Sequence, residues 1–459
     1  MRDALKKVLK TIRDNKGEAY LVGGCVRDII LNREPNDYDI ATNLMPEEIM
    51  KIFPKVIPTG IKHLTVTVMQ DGYTFEVTTY RKDVKYSDGR HPDEVIPADS
   101  LREDLSRRDF TMNSLASYDI DCYNIIDYFN GVEHIKSKLI KCVGNAHDRF
   151  KEDKLRILRA IRFSAQLNFE LDINIKTEMY RTSLKQISNE RIRDELIKIL
   201  KSDNPCKGID IIVSNQILKN EVIPELLPMI FMDGGNHHDE PVYNHSLDAL
   251  KYSVALTKKW ELRLAILLHD IGKPTALTND ENGNHFIKHE LYGCDVADKI
   301  LRRLKFSNET RRYIKTLIKY HMSTYRKIGC VKLSKRQIKK AVRNVGEENL
   351  WDMMILNYCD DKANRAHHTT RFEKFLADRT IWYDWQEIKK RDSALKVTDL
   401  AVNGHDIMKL GYKGKEVGDI LNELLDMVDR DALKNDYESL IGYARGDMND
   451  KLEKSEEDN

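Results

Sequence analysis

Asp37 and Asp39 stand two apart in the run YLVGGCVRDIILNREPNDYDIAT. On an extended strand residues at that spacing project to one face, so both carboxylates would reach the same volume. Paired carboxylates suit Mg²⁺, which takes a few protein oxygens and completes its shell with phosphate oxygens and water. Two ions held there would activate an attacking hydroxyl and support a departing pyrophosphate. Upstream, Gly23 and Gly24 end a strand and open a helix. Backbone amides exposed at such a junction, with Arg27 beside them, suit a triphosphate. Glu76 is either a third carboxylate on the same face or a partner for Arg81. An Asp-x-Asp by itself also reads as a polar turn; the glycines before it and the apolar IAT after it favour the metal site.

These residues need a rigid sheet. Residues 1–17 predict a helix with Leu5, Val8, Leu9 and Ile12 on its apolar face. The runs AYLVGG, DYDIAT, LTVTVMQ and TFEVTTY predict strands, the last two straddling Asp71-Gly72 as a hairpin. LASYDI and NIIDYF predict another strand pair. From Arg149 onward the pattern turns helical almost to the end. The fold class expected is therefore an α+β head followed by all-α domains.

The segments GGCVRD, NDYDIAT, FEVTTYR, DGRHP, RRDFTMNSLA, VGNAHDRFKEDKLRILRAIRF and ERIRDEL resemble those of class II CCA-adding enzymes and bacterial poly(A) polymerases, of the DNA polymerase beta superfamily. The resemblance runs densely from about residue 17 to 200. It implies template-independent addition of CMP and AMP from CTP and ATP to the 3′ end of tRNA. It also implies a head over 1–140, a neck over 141–205, a body over 206–385 and a tail over 386–459. Within that pattern Arg108 and Asp109 are similar to a ribose-recognition pair; an arginine beside an aspartate meets a hydroxyl that both donates and accepts. Asp153 and Arg156, three apart and expected on one helix face, resemble a protein template for the base. Cytosine and adenine each present an amine donor beside an unprotonated ring nitrogen, matching an Asp acceptor and an Arg donor. Guanine and uracil present the reverse and would leave buried polar groups unpaired. Glu152 is expected to support the pair, and Glu190, Arg191 and Arg193 to buttress its helix. The segment from Arg81 to Asp104 resembles a full-length version of the family's mobile loop, which favours complete CCA addition over partial.

A second cluster follows. YNHSLDAL carries His245, LLHDIGKP carries His269 and Asp270, KHELYG carries His289, IKYHM carries His321, and NYCDDKA carries Asp360 next to Asp361. The order resembles the HD phosphohydrolases. It implies a divalent-metal site built from His245, His269, Asp270 and Asp360, with His289 and His321 adding a second ion, and Asp361 as the alternative to Asp360. Such a site hydrolyses phosphoesters through bound hydroxide, although the same module also serves as an inert helical scaffold. Two other readings of the whole chain are a poly(A) polymerase, and an HD phosphohydrolase whose head only binds RNA.

Bulk properties bound the rest. The 459 residues carry 32% charged and 41% hydrophobic side chains and a net charge of +1. That average hides residues 299–344, with sixteen Lys or Arg against the single acid Glu309, a distribution that predicts contact with the tRNA backbone. No run is apolar for the ~18–20 residues a membrane span needs, so no membrane partner is expected. Seven scattered cysteines predict reduced thiols in the cytoplasm. The last residues, DMNDKLEKSEEDN, predict a disordered C-terminus.

Overall fold

The computed structural model of the chain describes residues 1–84, 94–234, 240–281, 283–328, 334–364, 382–390 and 395–457. It divides into two compact units, Met1–Leu227 with Arg303–Lys305, and Pro228–Arg302 with Phe306–Asn459.

The first unit opens with the helix Arg2–Asp14, whose Leu5, Val8, Leu9 and Ile12 are buried as the apolar spacing predicts. Its first nine strands are β1 (Tyr20–Val22), β2 (Asp39–Thr42), β3 (Val56–Gly60), β4 (Thr65–Gln70), β5 (Tyr73–Thr79), β6 (Arg81–Val84), β7 (Glu94–Pro97), β8 (Leu115–Ser117) and β9 (Ile125–Asp127). Seven of them form one mixed sheet in the order β3-β4-β5-β2-β1-β8-β9. β6 and β7 pair separately, and residues 85–93 of the expected loop lie outside the described residues. The β4–β5 hairpin turns at Asp71 and Gly72, with φ of 52° and 81°. Two consecutive left-handed residues match the right-handed twist of the strands, and Asp-Gly adopts them at low cost. Along β5, Phe75 and Val77 are buried while Glu76 between them is exposed, so alternation carries the carboxylate away from the core.

β2 and β5 run parallel, and the other pairs of this sheet are antiparallel. The helix Pro46–Ile52 and the strands β3 and β4 make the excursion that returns the chain beside β2 in the same direction. β2 starts only at Asp39, so Asp37 sits in the segment leading into the strand and not on the strand itself.

The neck differs from expectation in one respect. Asp153 and Arg156 do not lie on one continuous helix. The helix Ala146–Glu152 ends with Asp153 in extended geometry, φ −141°, and a new helix runs Arg156–Leu167. Asp153 accepts a hydrogen bond from the amide of Leu155 at 3.0 Å, which ends one helix and sets up the next as a cap does.

In the second unit, the helix Trp260–Leu268 buries every residue from Leu262 onward, and His269 and Asp270 follow at its C-terminal end. The helices Val242–Ser253, His289–Arg303, Asn308–Ile328 and Glu347–Ala363 carry the remaining residues of the HD pattern. The tail has its own core of Val402, Ile407, Tyr412, Ile420, Leu424 and Leu440. The helix Tyr437–Glu457 runs through the segment expected to be disordered. Its Glu- and Lys-rich sequence has good helix propensity and continues a helix already started at Tyr437, which removes the nucleation cost. Among the described residues no helix is long and apolar enough to cross a membrane.

Candidate active site

The sheet register sets the first site. Asp39 on β2 is paired directly with Glu76 on β5. Neighbours in a sheet project to the same side, so the two carboxylates share a face. Asp37 is exposed and Tyr38 buried, an alternation that leaves Asp37 on the same open side as Asp39. Burial, then the neighbouring Asp37, push the Asp39 carboxyl up to about 6; Arg108 opposes the rise and Glu76 adds to it. Asp37, Asp39 and Glu76 thus share the open side of the sheet with one opposing arginine, but their oxygens do not all lie within 4.8 Å of one another as the ligand groups of the second unit do. The all-oxygen donor set is of the kind that suits a hard divalent cation. Glu76 makes no ion pair among the described residues, so the structure favours its place in this cluster over a pair with Arg81.

The glycine turn lies beside the carboxylates. Gly23 has φ 79° and caps the helix Gly24–Ile30, and a Cβ on it would lie 2.6 Å from Nη1 of Arg108. Glycine is therefore needed for the backbone, and any side chain there would push the Arg108 guanidinium away from the turn. Arg27 is buried and donates to Asn113 Oδ1 at 2.6 Å and to Asp28 Oδ1 at 2.7 Å and 2.9 Å. It braces the turn, and one N–H on each of Nη1 and Nη2 is not used by these three bonds.

Arg108 and Asp109 diverge. Arg108 pairs with Asp104 at 3.3 Å and points to the Gly23 turn. Asp109 is buried, with four donors on its carboxylate. Oδ1 accepts from the Phe110 amide at 2.8 Å and Asn113 Nδ2 at 3.1 Å; Oδ2 accepts from Arg159 Nε at 2.9 Å and Nη2 at 2.6 Å. Burial alone would raise this carboxyl, but Arg159 and Asn113 hold it down at about 2. Asp109 can accept from a sugar only if one of those donors moves.

Asp153 is held by Arg191, Nη2 to Oδ2 at 2.9 Å. Arg156 pairs with Glu152 at 2.5 Å and donates to the Arg107 carbonyl at 3.2 Å. Glu152 and Arg191 thus hold the two residues expected to read the base, while Glu190 is exposed and Arg193 pairs with its neighbour Asp194. Arg159 and Arg162 were missed from the sequence. With Arg156 they form a stripe at every third residue of RILRAIR, and each takes a different acid: Glu152, Asp109 and Glu195. The spacing was visible; the partners, dozens of residues away in two cases, were not.

The second unit holds two adjacent ligand triads, His245, His269 and Asp360, and Asp270, His289 and His321. His245 Nε2 lies 2.9 Å from Asp360 Oδ1, His269 Nε2 3.3 Å from Asp270 Oδ2, and His289 Nε2 3.3 Å from both Asp270 Oδ1 and His321 Nε2. The structure thus brings in Asp360, whereas Asp361 is absent from both triads. Nδ1 of His269, His289 and His321 lies 2.6–2.8 Å from the carbonyl three residues earlier, of Ile266, Phe286 and Ile318. A carbonyl only accepts, so Nδ1 carries the proton and Nε2 faces the cluster as a ligand. Burial lowers His269, but Asp270 and Asp360 more than offset it and hold the imidazole at about 10. Burial, with His269 and His289, pushes His321 down to about 4. The surplus of carboxylate charge around His269 is one that a bound cation would balance in place of that proton, and the mixed N/O donor set fits a divalent transition metal. Lys273, missed from the sequence, places Nζ 2.7 Å from Asp270 Oδ2.

Comparison with known proteins matches this layout. The poly A polymerase head domain matches residues 19–141, the probable RNA and SrmB-binding site of polymerase A matches 168–230, and the HD domain matches 242–358. Over 457 residues the chain is 33% identical to the CCA-adding enzyme of Ligilactobacillus salivarius, covering 98% of each chain. The chain belongs to the CCA-adding enzyme family. It is a nucleotidyltransferase, with a mixed-sheet head and a mostly helical remainder. Identity rises to 46% with the CCA-adding enzyme of Oceanobacillus iheyensis over 213 residues, 46% of this chain and 52% of that one. The crystal structure of the Bacillus stearothermophilus CCA-adding enzyme in complex with CTP superposes with a TM-score of 0.69 at 25% identity, covering 99% of this chain and 98% of that one. Membership in the CCA-adding enzymes accounts for the head and the RNA-binding segment; the HD match accounts for the histidine cluster.

Proposed function

We propose that this chain adds CMP and AMP, from CTP and ATP, to the 3′ end of tRNA, with Asp37, Asp39 and Glu76 holding the catalytic Mg²⁺ ions. The observation that carries the reading is the direct pairing of Asp39 with Glu76 next to the Gly23 turn. Mg²⁺ bound there would make the terminal 3′-hydroxyl more acidic and balance charge on the departing pyrophosphate. The protein's own groups do the rest. The Gly23 amide itself donates to the Leu115 carbonyl at 3.0 Å, so the helix start at Gly24, with Arg108 above the turn, receives the triphosphate; Arg27 holds the turn in shape. Arg108 and Asp109 form the sugar-facing segment, and Asp153 and Arg156 read the base. We divide the chain into head (1–140), neck (141–205), body (206–385) and tail (386–459), and place its work in the cytoplasm, where its buried free thiols remain reduced.

The test is incubation with tRNA ending at the discriminator base, with CTP and ATP separately and together. Two C residues with CTP alone, and a stop after one A when both are present, support the reading. An AMP homopolymer would indicate a poly(A) polymerase, and no incorporation would leave the head as an RNA-binding platform.

The paired triads support a second activity. In our reading the HD cluster holds divalent metal, with His289 and His321 serving a second ion, and hydrolyses a phosphoester at a damaged tRNA end, such as a 2′,3′-cyclic phosphate. A cyclic phosphate blocks the 3′-hydroxyl that the transferase needs; water attacking phosphorus with cleavage of the P–O3′ bond would free that hydroxyl and leave the phosphate on O2′, and a second hydrolysis of this monoester would release it before addition.

The basic segment is more internally paired than its composition suggests. Lys335 pairs with Asp431 and Lys339 and Arg343 with Asp429, while Arg311 is held by Asp298 at 2.8 Å. Arg312 and Lys319 are exposed beside a groove of about 640 Å³ that Arg311 and Lys315 also line. We assign the RNA phosphates to this groove and not to the whole run.

A further inference from the structure

The sugar-facing and base-reading segments are joined at two points within the first unit. Arg156 donates to the carbonyl of Arg107, immediately before Arg108 and Asp109. Arg159, one turn along the same helix, grips Asp109 through Nε and Nη2. Asp153, Arg156 and Arg159 therefore sit on one short stretch, and two of the three are tied to the Arg107–Asp109 segment. Nε and Nη2 of Arg159 both donate to the single oxygen Oδ2, a charge-assisted pair of bonds that ties the carboxylate to this helix, so a shift of the helix pulls on Asp109. Asp109 has no spare acceptor position, and Arg159 is the partner that lies on the other segment.

We infer that Arg159 is a positioning residue that couples sugar choice to base choice, by holding the Arg107–Asp109 segment in register with Asp153 and Arg156. The inference rests on the reading above that these two segments face the ribose and the base. If the helix moves to accept a base, Asp109 moves with it. A nucleotide with the wrong base is then also held with a misplaced sugar segment, and the two discriminations reinforce each other. A purely structural ion pair would support the fold and leave both selectivities unchanged.

The test uses the full chain with Arg159→Lys, Arg159→Ala and Asp153→Ala, measuring kcat/KM for CTP, UTP and dCTP on tRNA ending at the discriminator base, with Tm alongside. Arg159→Lys keeps the charge near Asp109 and loses the fork, so it retains the fold if Arg159→Ala does not. The expected result is that Arg159→Lys lowers both the CTP:UTP and the CTP:dCTP ratio, each by about tenfold, whereas Asp153→Ala lowers the base ratio alone. If Asp153→Ala loses base choice while Arg159→Lys keeps either ratio at the parent value, the coupling is overturned and the base-reading assignment stands. If Asp153→Ala keeps full base choice, the assignment beneath the inference falls, and the inference with it.

Discussion

Asp39 and Glu76 are direct neighbours across the parallel pair of strands β2 and β5, although 37 positions separate them in the chain. Each predicts a loss of activity. Asp39→Ala or Asp37→Ala should lower nucleotide incorporation by at least on the order of 10²–10³-fold, since preorganised charge stabilisation of that kind carries such factors. Glu76→Gln should cost less, because an amide oxygen still coordinates. Incorporation assays, with circular dichroism to confirm folding and gel shifts to confirm tRNA binding, check this. Turnover near the parent value in either aspartate variant would exclude the assignment.

The raised Asp39 carboxyl predicts a trade between activity and stability. Its folded pKa of about 6 lies above the ordinary carboxylate value, so the folded state favours the protonated form. Stability from this group is therefore greatest below the unfolded pKa and is lost as pH rises from about 4 to about 6. At neutral pH without divalent cation the penalty is at most about 3 kcal/mol. Asp39→Asn should raise the Tm at pH 7.5 in chelator, and the gain should shrink at pH 4. Added Mg²⁺ should stabilise the parent more than the variant.

Proton and metal compete for the same oxygen. Below pH 6 the apparent Mg²⁺ requirement of incorporation should rise by up to about tenfold per pH unit, as expected for displacement of one proton. Mg²⁺ titrations of activity at pH 5.3 and pH 7.5 measure this; equal midpoints would mean that Asp39 is already ionised at the lower pH.

Arg191 should behave as an accessory to Asp153, whose carboxylate it grips at 2.9 Å. Asp153→Ala is expected to cost on the order of 1–3 kcal/mol in discrimination between CTP and UTP. Arg191→Ala should move discrimination in the same direction and by less, since it loosens the reader without removing it. Competition assays with mixed triphosphates separate the two. Full discrimination in Asp153→Ala would remove the template role.

The double substitution His269→Ala and Asp270→Ala should remove metal from the HD cluster and spare CTP incorporation. Elemental analysis of purified protein, with hydrolysis of 2′,3′-cyclic nucleotides in Mg²⁺, Mn²⁺, Ni²⁺ and Fe²⁺, reads it out. A parent protein that binds no metal and hydrolyses nothing would leave this module as scaffold.

Charge reversal at Arg312 and Lys319 should make the dependence of tRNA affinity on log salt shallower by about 2, one for each phosphate that is no longer neutralised. Reversal at Lys335, already paired with Asp431, should leave the slope unchanged. Equal effects at the two places would disperse RNA binding over the whole segment.

Much of the head was legible from local pattern. Alternation in TFEVTTY put Phe75 and Val77 inward and Glu76 outward, and Asp71-Gly72 marked the turn. The pairing of β2 with β5 was not legible, because strand partners depend on a crossover that local periodicity does not encode. The same limit hid Arg159 behind Asp109, fifty residues upstream. Treating Asp153 and Arg156 as one helix face failed for another reason. Asp153 bonds the Leu155 amide and ends its helix there, a side-chain competition with the backbone that helical spacing does not register. In the second unit the six residues of the two triads were legible as an ordered motif. The order of the motif already favours Asp360 over Asp361, and the helix Glu347–Ala363 buries Asp360 and places it in a ligand triad.

The three histidines that point Nδ1 at a carbonyl of the preceding turn have a consequence for the metal site proposed in the HD cluster. Their ligating nitrogens are aimed before any ion arrives, by bonds that belong to the ordinary backbone and survive its departure. Loading of the proposed site would then be capture by a finished socket and not a folding event. A chelator should empty it without melting the helices around it, and the ion present in the cell would follow from supply as much as from the protein's own preference.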